Sequence, residues 1–184
     1  NNTSNITYSA TSNDNNPIII KVSGGSTTPN NNGDYYTFTN SDSSGINIAN
    51  GGFKFIRGKT YRFADDGRTT TTTTITHPLK IITFVNGSTV TNTLNTVDGS
   101  ITVTIPQNAS TTTGELYYQC SNHSDMRGNL SLLYKEVTGS TENGFYDFYY
   151  GNMDVTVAGD FGTASVYCYH HGYMGGNNLL KYVS

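Results

Sequence analysis

Apolar and polar residues alternate over short runs along this chain, and no stretch carries the three-to-four-residue apolar spacing of a convincing helix. Lys59-Thr60-Tyr61-Arg62-Phe63 sets Tyr61 and Phe63 on one face of a strand. Ser100 to Ile105 turns Ile101, Val103 and Ile105 inward before Pro106 ends the ladder. Lys80 to Val85 reads as a buried strand, and the isoleucine run Ile18-Ile19-Ile20 predicts a first strand buried on both faces. Further strands are predicted at Asp34 to Phe38, Phe53 to Ile56, Glu115 to Cys120 and Leu130 to Tyr134. Turn chemistry separates them at Ser23 to Gly33, Arg57-Gly58 and Asn86-Gly87-Ser88. Ala64 to Thr76 reads as a loop in which Asp65-Asp66 is solvated, while the threonines Thr69 to Thr74 can extend the following strand. About eight short strands joined by Gly, Asn and Pro loops describe an all-β sandwich or barrel.

The texture changes at both ends. Residues 1–16 are polar and rich in Asn and Ser, and read as a flexible or partner-dependent arm ahead of a main unit at 17–137. Val137 to Gly144 has linker composition, and residues 138–184 form a small β module. Its strands are predicted at Phe145 to Tyr150, Asp154 to Val157, Ser165 to Cys168 and Leu179 to Val183. So few residues cannot easily bury a core, so the module is expected to pack on the main unit or on a neighbouring subunit.

Composition narrows the function classes. The formal net charge of −3 and the absence of a basic stripe exclude a nucleic-acid binder of the usual kind. No apolar run reaches membrane-spanning length. Abundant Asn and Thr with little Lys fit an extracellular, cell-surface or virion-surface protein. The opening Asn1-Asn2-Thr3, without methionine, points to a removed leader or an incomplete chain. Asn-x-Ser/Thr triplets, among them Asn122 and Asn129, leave glycosylation open. No Ser-His-Asp order, H-E-x-x-H, P-loop or paired-carboxylate signature supports an enzyme.

The chemistry gathers at Tyr117-Tyr118-Gln119-Cys120-Ser121-Asn122-His123-Ser124-Asp125-Met126. Thiolate, imidazole and thioether follow one another at three-residue intervals where a strand ends, and His77 supplies a second imidazole from upstream. A trigonal His₂Cys set with a weak axial Met is the ligand set of blue copper centres. Zinc is not separable from copper on residue types alone. The spacing returns at Cys168-Tyr169-His170-His171-Gly172-Tyr173-Met174, a possible second metal site of Cys168, His171 and Met174 with His170 adjacent. A Cys120–Cys168 disulfide is the competing reading of both cysteines and would remove both sites.

His77 before one strand and Cys120, His123 and Met126 in the loop closing another resemble the cupredoxins, specifically the short-looped amicyanin type. The resemblance implies a Greek-key cupredoxin-like β-sandwich over 17–137 with one mononuclear copper site. Cupredoxins usually carry Asn after the first histidine; here Pro78 follows, with no N–H to offer the sulfur. The runs Arg57 to Phe63, His77-Pro78-Leu79 and Tyr117 to His123 also resemble cupredoxin-like modules in surface or tail-fibre-like proteins of marine microbes and phages. Tyr150 to Gly176 is similar to the YHYH-type module that accompanies them. The resemblance implies self-assembly or a larger surface assembly, and the expected function is a structural fibre or filament subunit that binds copper. The alternatives are a soluble copper carrier or electron-transfer protein, and a disulfide-stabilised sandwich without metal.

Overall fold

A computed structural model describes residues 3–11, 16–71, 74–85, 87–109, 116–137 and 144–184. Thr72, Thr73, Asn86, Gly114, Glu115, the sequons at Asn1 and Asn2 and the linker core 138–143 lie outside the described residues. Among those described, the chain is all-β, and its one helical element is a 3-10 turn at Thr3–Asn5.

Two sheets carry the main unit. One is antiparallel, with strands in the order Ser88–Leu94, Leu79–Val85, Tyr117–Cys120 and Arg127–Asn129. The other runs Ser100–Thr104, Thr60–Arg68, Ile18–Gly24, Thr37–Thr39 and Gly45–Ile46, with Ile18–Gly24 parallel to Thr60–Arg68. Ile20, Val22, Tyr61, Phe63 and Val103 of the second sheet join Leu79, Ile81, Leu94, Tyr118 and Cys120 of the first in one buried cluster. Aromatic rings bridge the layers: Phe38 lies 5.2 Å from Tyr118, centroid to centroid, and Tyr36 lies 5.9 Å from Tyr118. Each such side chain contributes about 1.5–3 kcal/mol on burial.

Three local expectations are corrected. Only Ile20 and Val22 of the first strand are fully buried; Ile19 is 36% exposed because it points to the unpacked face of this sheet, and Ile18, on the packed face, is also 36% exposed as the first residue of the strand. Asp34 to Tyr36 are not strand, because the Asp34 carboxylate accepts the backbone N–H groups of Ile48 and Ala49 and holds the loop there. Ala64 to Arg68 is not loop but the continuation of Thr60–Arg68, and Asp65 is not solvated. The Asp65 carboxylate accepts from Arg68 Nε at 2.8 Å and from the Asp98 N–H at 2.9 Å. Arg68, fully buried, also donates to the Leu94 and Thr96 carbonyls.

Burial alone would raise the Asp65 pKa, but the Arg68 and Asp98 hydrogen bonds outweigh it and hold the group below its usual 3.8. A depressed folded value makes the Asp65 contribution present above pH 3.8 and lost as pH falls through that folded value. Asp65→Asn is therefore expected to cost about 2 kcal/mol at neutral pH, with the gap to the parent closing in acid. Urea unfolding across the acid range reads this directly.

The small module behaves as its size predicts. Its strands make only two-stranded pairings, and Phe161 is its one fully packed side chain among the described residues. It rests on the main unit through Tyr150 N–H to the Arg57 carbonyl at 2.7 Å and an Arg57–Asp147 ion pair at 2.9 Å. The N-terminal segment is more than a tail: Ile6–Thr11 pairs antiparallel with Asn152–Val157, from Ile6 opposite Val157 to Thr11 opposite Asn152. Apolar and polar residues alternate on both segments, with Ile6, Tyr8 and Ala10 opposite Val157, Val155 and Met153, and that favours the ladder.

Candidate metal centre

The centre forms where two neighbouring strands of the antiparallel sheet meet a loop. Leu79–Val85 and Tyr117–Cys120 pair with Cys120 opposite Leu79, so His77, just before the first strand, reaches the same end as Cys120. Three short ties close the loop after Cys120: its N–H donates to the Met126 carbonyl at 3.0 Å, Met126 N–H donates to the His123 carbonyl at 3.2 Å, and Ser121 N–H donates to the Pro78 carbonyl at 2.9 Å. Asn122 adds a side-chain bond to the Thr76 carbonyl at 3.0 Å, joining the loop to the residue before His77.

These ties gather three donors. Cys120 Sγ lies 3.7 Å from His77 Nδ1 and 3.5 Å from His123 Nδ1, and the ligand atoms of all three residues lie within 4.8 Å of one another. A metal–sulfur bond of about 2.3 Å and metal–nitrogen bonds of about 2.0 Å, opened by about 110–120°, place sulfur and nitrogen about 3.5–3.7 Å apart. The donor set and its spacing fit one soft or borderline ion. Cys120 and Met126 are each 1% exposed and His77 is 8% exposed, while His123 sits at the solvent edge. Met126 belongs to the same buried cluster as Cys120.

Electrostatics favour ligand forms. Burial, with the His123 imidazole beside it, lowers the His77 pKa, which keeps the ring neutral and able to bind metal. Burial, reinforced by negative charge on the neighbouring Cys120 sulfur, pushes the Tyr36 phenol up, so it stays protonated. That phenol donates toward the His77 and Pro78 carbonyls at 3.3 and 3.4 Å and fixes the backbone carrying the first ligand.

Three residues at the centre show no sign of that role in the sequence. Tyr36 is one. Gly25, at φ +122°, lies flat against the His77 ring, and a Cβ there would come within 3.0 Å of His77 Cβ. Asn122 is the third: its backbone N–H points at Cys120 Sγ at 3.4 Å. That donor reaches the sulfur although Pro78 has none to offer. Gly24-Gly25 carried a turn signal, but nothing local tied it to His77.

The tail motif lies apart from this cluster. Both cysteines are free, so no Cys120–Cys168 bridge is formed. Cys168 and His171 stand together, with Sγ 3.4 Å from Nδ1, while Met174 and His170 are exposed. Compared with protein-family models, with curated proteins and with solved structures, the chain matches none. No helix among the described residues is long and apolar enough to cross a membrane.

Proposed function

We propose that this chain is a structural subunit of an extracellular or virion-surface fibre or filament, built on a cupredoxin-like domain that binds copper. His77, Cys120 and His123 would hold the ion, with Met126 as a weak axial thioether. One observation carries the metal reading: a buried thiol with two imidazole Nδ1 atoms turned to it at 3.5 and 3.7 Å. Copper held there supplies a one-electron couple. The chain's own residues keep His77 neutral, screen Cys120 from solvent and offer its sulfur the Asn122 N–H.

The assembly reading is supported by the small module and its borrowed strand. Met153, Val155 and Val157 alternate along Asn152–Val157 and are each about half exposed, as is Tyr8 on the paired Ile6–Thr11. A two-stranded ribbon with an open apolar face is marginal in water until another surface covers it. The rim of the centre favours this role over that of a soluble electron carrier. Ser121, Asn122, Ser124 and Asp125 around His123 are polar and exposed, where a docking electron carrier would present an apolar patch.

Light scattering and electron microscopy on native material test the assembly directly. Particles or filaments far larger than the 19.9 kDa chain are expected, and a monodisperse single-chain species would overturn the structural role. One equivalent of Cu(II) is expected to give an intense visible thiolate-to-copper band in either case.

A further inference from the structure

The second C-x-x-H-x-x-M run occupies a built turn in the small module. Tyr167–Cys168 and Gly172–Tyr173 pair antiparallel with Cys168 opposite Gly172, and the turn between them brings His171 Nδ1 to 3.4 Å from Cys168 Sγ. Of the two adjacent histidines, only His171 is at the sulfur; His170 packs edge-on against the Tyr169 ring at 5.1 Å. Backbone N–H groups of His171 and His170 also face the sulfur and, with the imidazole, lower the Cys168 pKa toward the thiolate that binds metal. Met174 N–H donates to the Val166 carbonyl at 2.8 Å, continuing the pairing by one step. Cys168 and Met174 therefore share a face, since directly opposed and alternate residues point the same way.

This pair differs from the buried centre in what surrounds it. Cys168 faces Gly172, where a Cβ would meet nothing within 4 Å, and His171 is exposed. A sulfur and a nitrogen 3.4 Å apart make one edge of a tetrahedral coordination sphere, whose S···N edge is about 3.5 Å. Among the described residues, the one group of three or more His, Cys or carboxylate ligands is that of His77, Cys120 and His123, so this pair has no third such ligand of its own. Among the described residues, no four-ligand site of His, Cys or carboxylate closes around this pair within one chain.

We infer that Cys168 and His171 are half of a second metal site for a thiophilic d10 ion, zinc or Cu(I), which the same two residues of a second copy complete as Cys₂His₂. Two-fold symmetry supplies two thiolates and two imidazoles from one self-complementary surface. Two thiolates also balance the charge of a divalent ion. The ion links two chains through their small modules and draws nothing from the first centre.

The test uses the full chain, reduced and metal-free, with Cys120→Ser silencing the first centre and His123→Ala as a second background should that variant fold poorly. Zinc is added, and bound metal and mass are read after gel filtration with light scattering. The expected result is about one tightly held zinc per two chains, with a doubling of the metal-free mass that chelator reverses. Adding Cys168→Ser or His171→Ala should abolish both. One zinc per chain with no change in mass, no zinc retained, or doubling that survives Cys168→Ser would each overturn the inference. So would doubling that resists chelator and yields only to reductant, which marks a disulfide. The copper band of the first centre, read in the otherwise unaltered chain, should be unchanged by Cys168→Ser, so failure there is separable from failure here.

Discussion

Cys120→Ala is expected to abolish the visible copper band and to weaken copper binding by at least about a thousandfold. The thiolate is the only anionic ligand among His77, Cys120, His123 and Met126, and it carries the charge-transfer transition. The two imidazole nitrogens converge on its sulfur, so without it they keep their places but lose their common vertex. Met126→Leu is the matched control. Met126 fills core volume beside Cys120, and Leu of similar volume should keep the fold while leaving most of the affinity. Its effect should be confined to the band's position and the reduction potential, as expected of a weak axial ligand. Copper titration against a competing chelator, with absorption and EPR for each variant, distinguishes these outcomes. Equal losses for Cys120→Ala and Met126→Leu would mean that the site responds to packing and not to ligand chemistry.

Asp34→Ala is expected to cost about 3–5 kcal/mol, since it strands several buried donors at once. Asp34 is 2% exposed, and burial pushes its pKa above 3.8 despite three donors. Those donors are the Ile48 N–H at 2.8 Å, the Ala49 N–H at 2.9 Å and the Tyr118 hydroxyl at 2.8 Å. Tyr118 OH in turn accepts the Tyr35 N–H at 3.1 Å. The loss would travel to the metal centre, because Tyr118 and Cys120 face the same way on one strand. The Tyr118 ring also lies over Gly128 of the neighbouring strand, where a Cβ would collide with it. Asp34→Asn, which keeps one acceptor oxygen, should cost about 1–2 kcal/mol. Urea unfolding of the metal-free protein measures both, and a cost below about 1 kcal/mol for Asp34→Ala would show that water replaces the carboxylate.

Much of the centre was legible because its chemistry is local. Cys120, His123 and Met126 sit within one loop, and strand geometry needs little more than a turn to bring Cys120 and His123 together. His77 was legible by residue type and by its place before an apolar strand. The residues that hold these ligands were hidden because each acts across the sandwich: Tyr36 reaches the His77 carbonyl, and Gly25 packs on its ring. Asp34 misled for a similar reason. Beside Tyr35 and Tyr36 it looked like the start of a strand, yet its carboxylate serves Ile48 and Ala49 far along the chain. Asp65 looked solvated until Arg68 folded over it within one strand. The pairing of Ile6–Thr11 with Asn152–Val157 is non-local and leaves no trace in either segment beyond alternation.

X-ray absorption at the copper edge, on protein loaded with one equivalent of Cu(II), tests the His77–Cys120–His123 centre most directly. One short sulfur scatterer with two imidazole nitrogens is expected, and the sulfur should vanish in Cys120→Ala while remaining in Cys168→Ala. A shell of nitrogen and oxygen alone, or a sulfur that follows Cys168, would contradict copper binding at this centre.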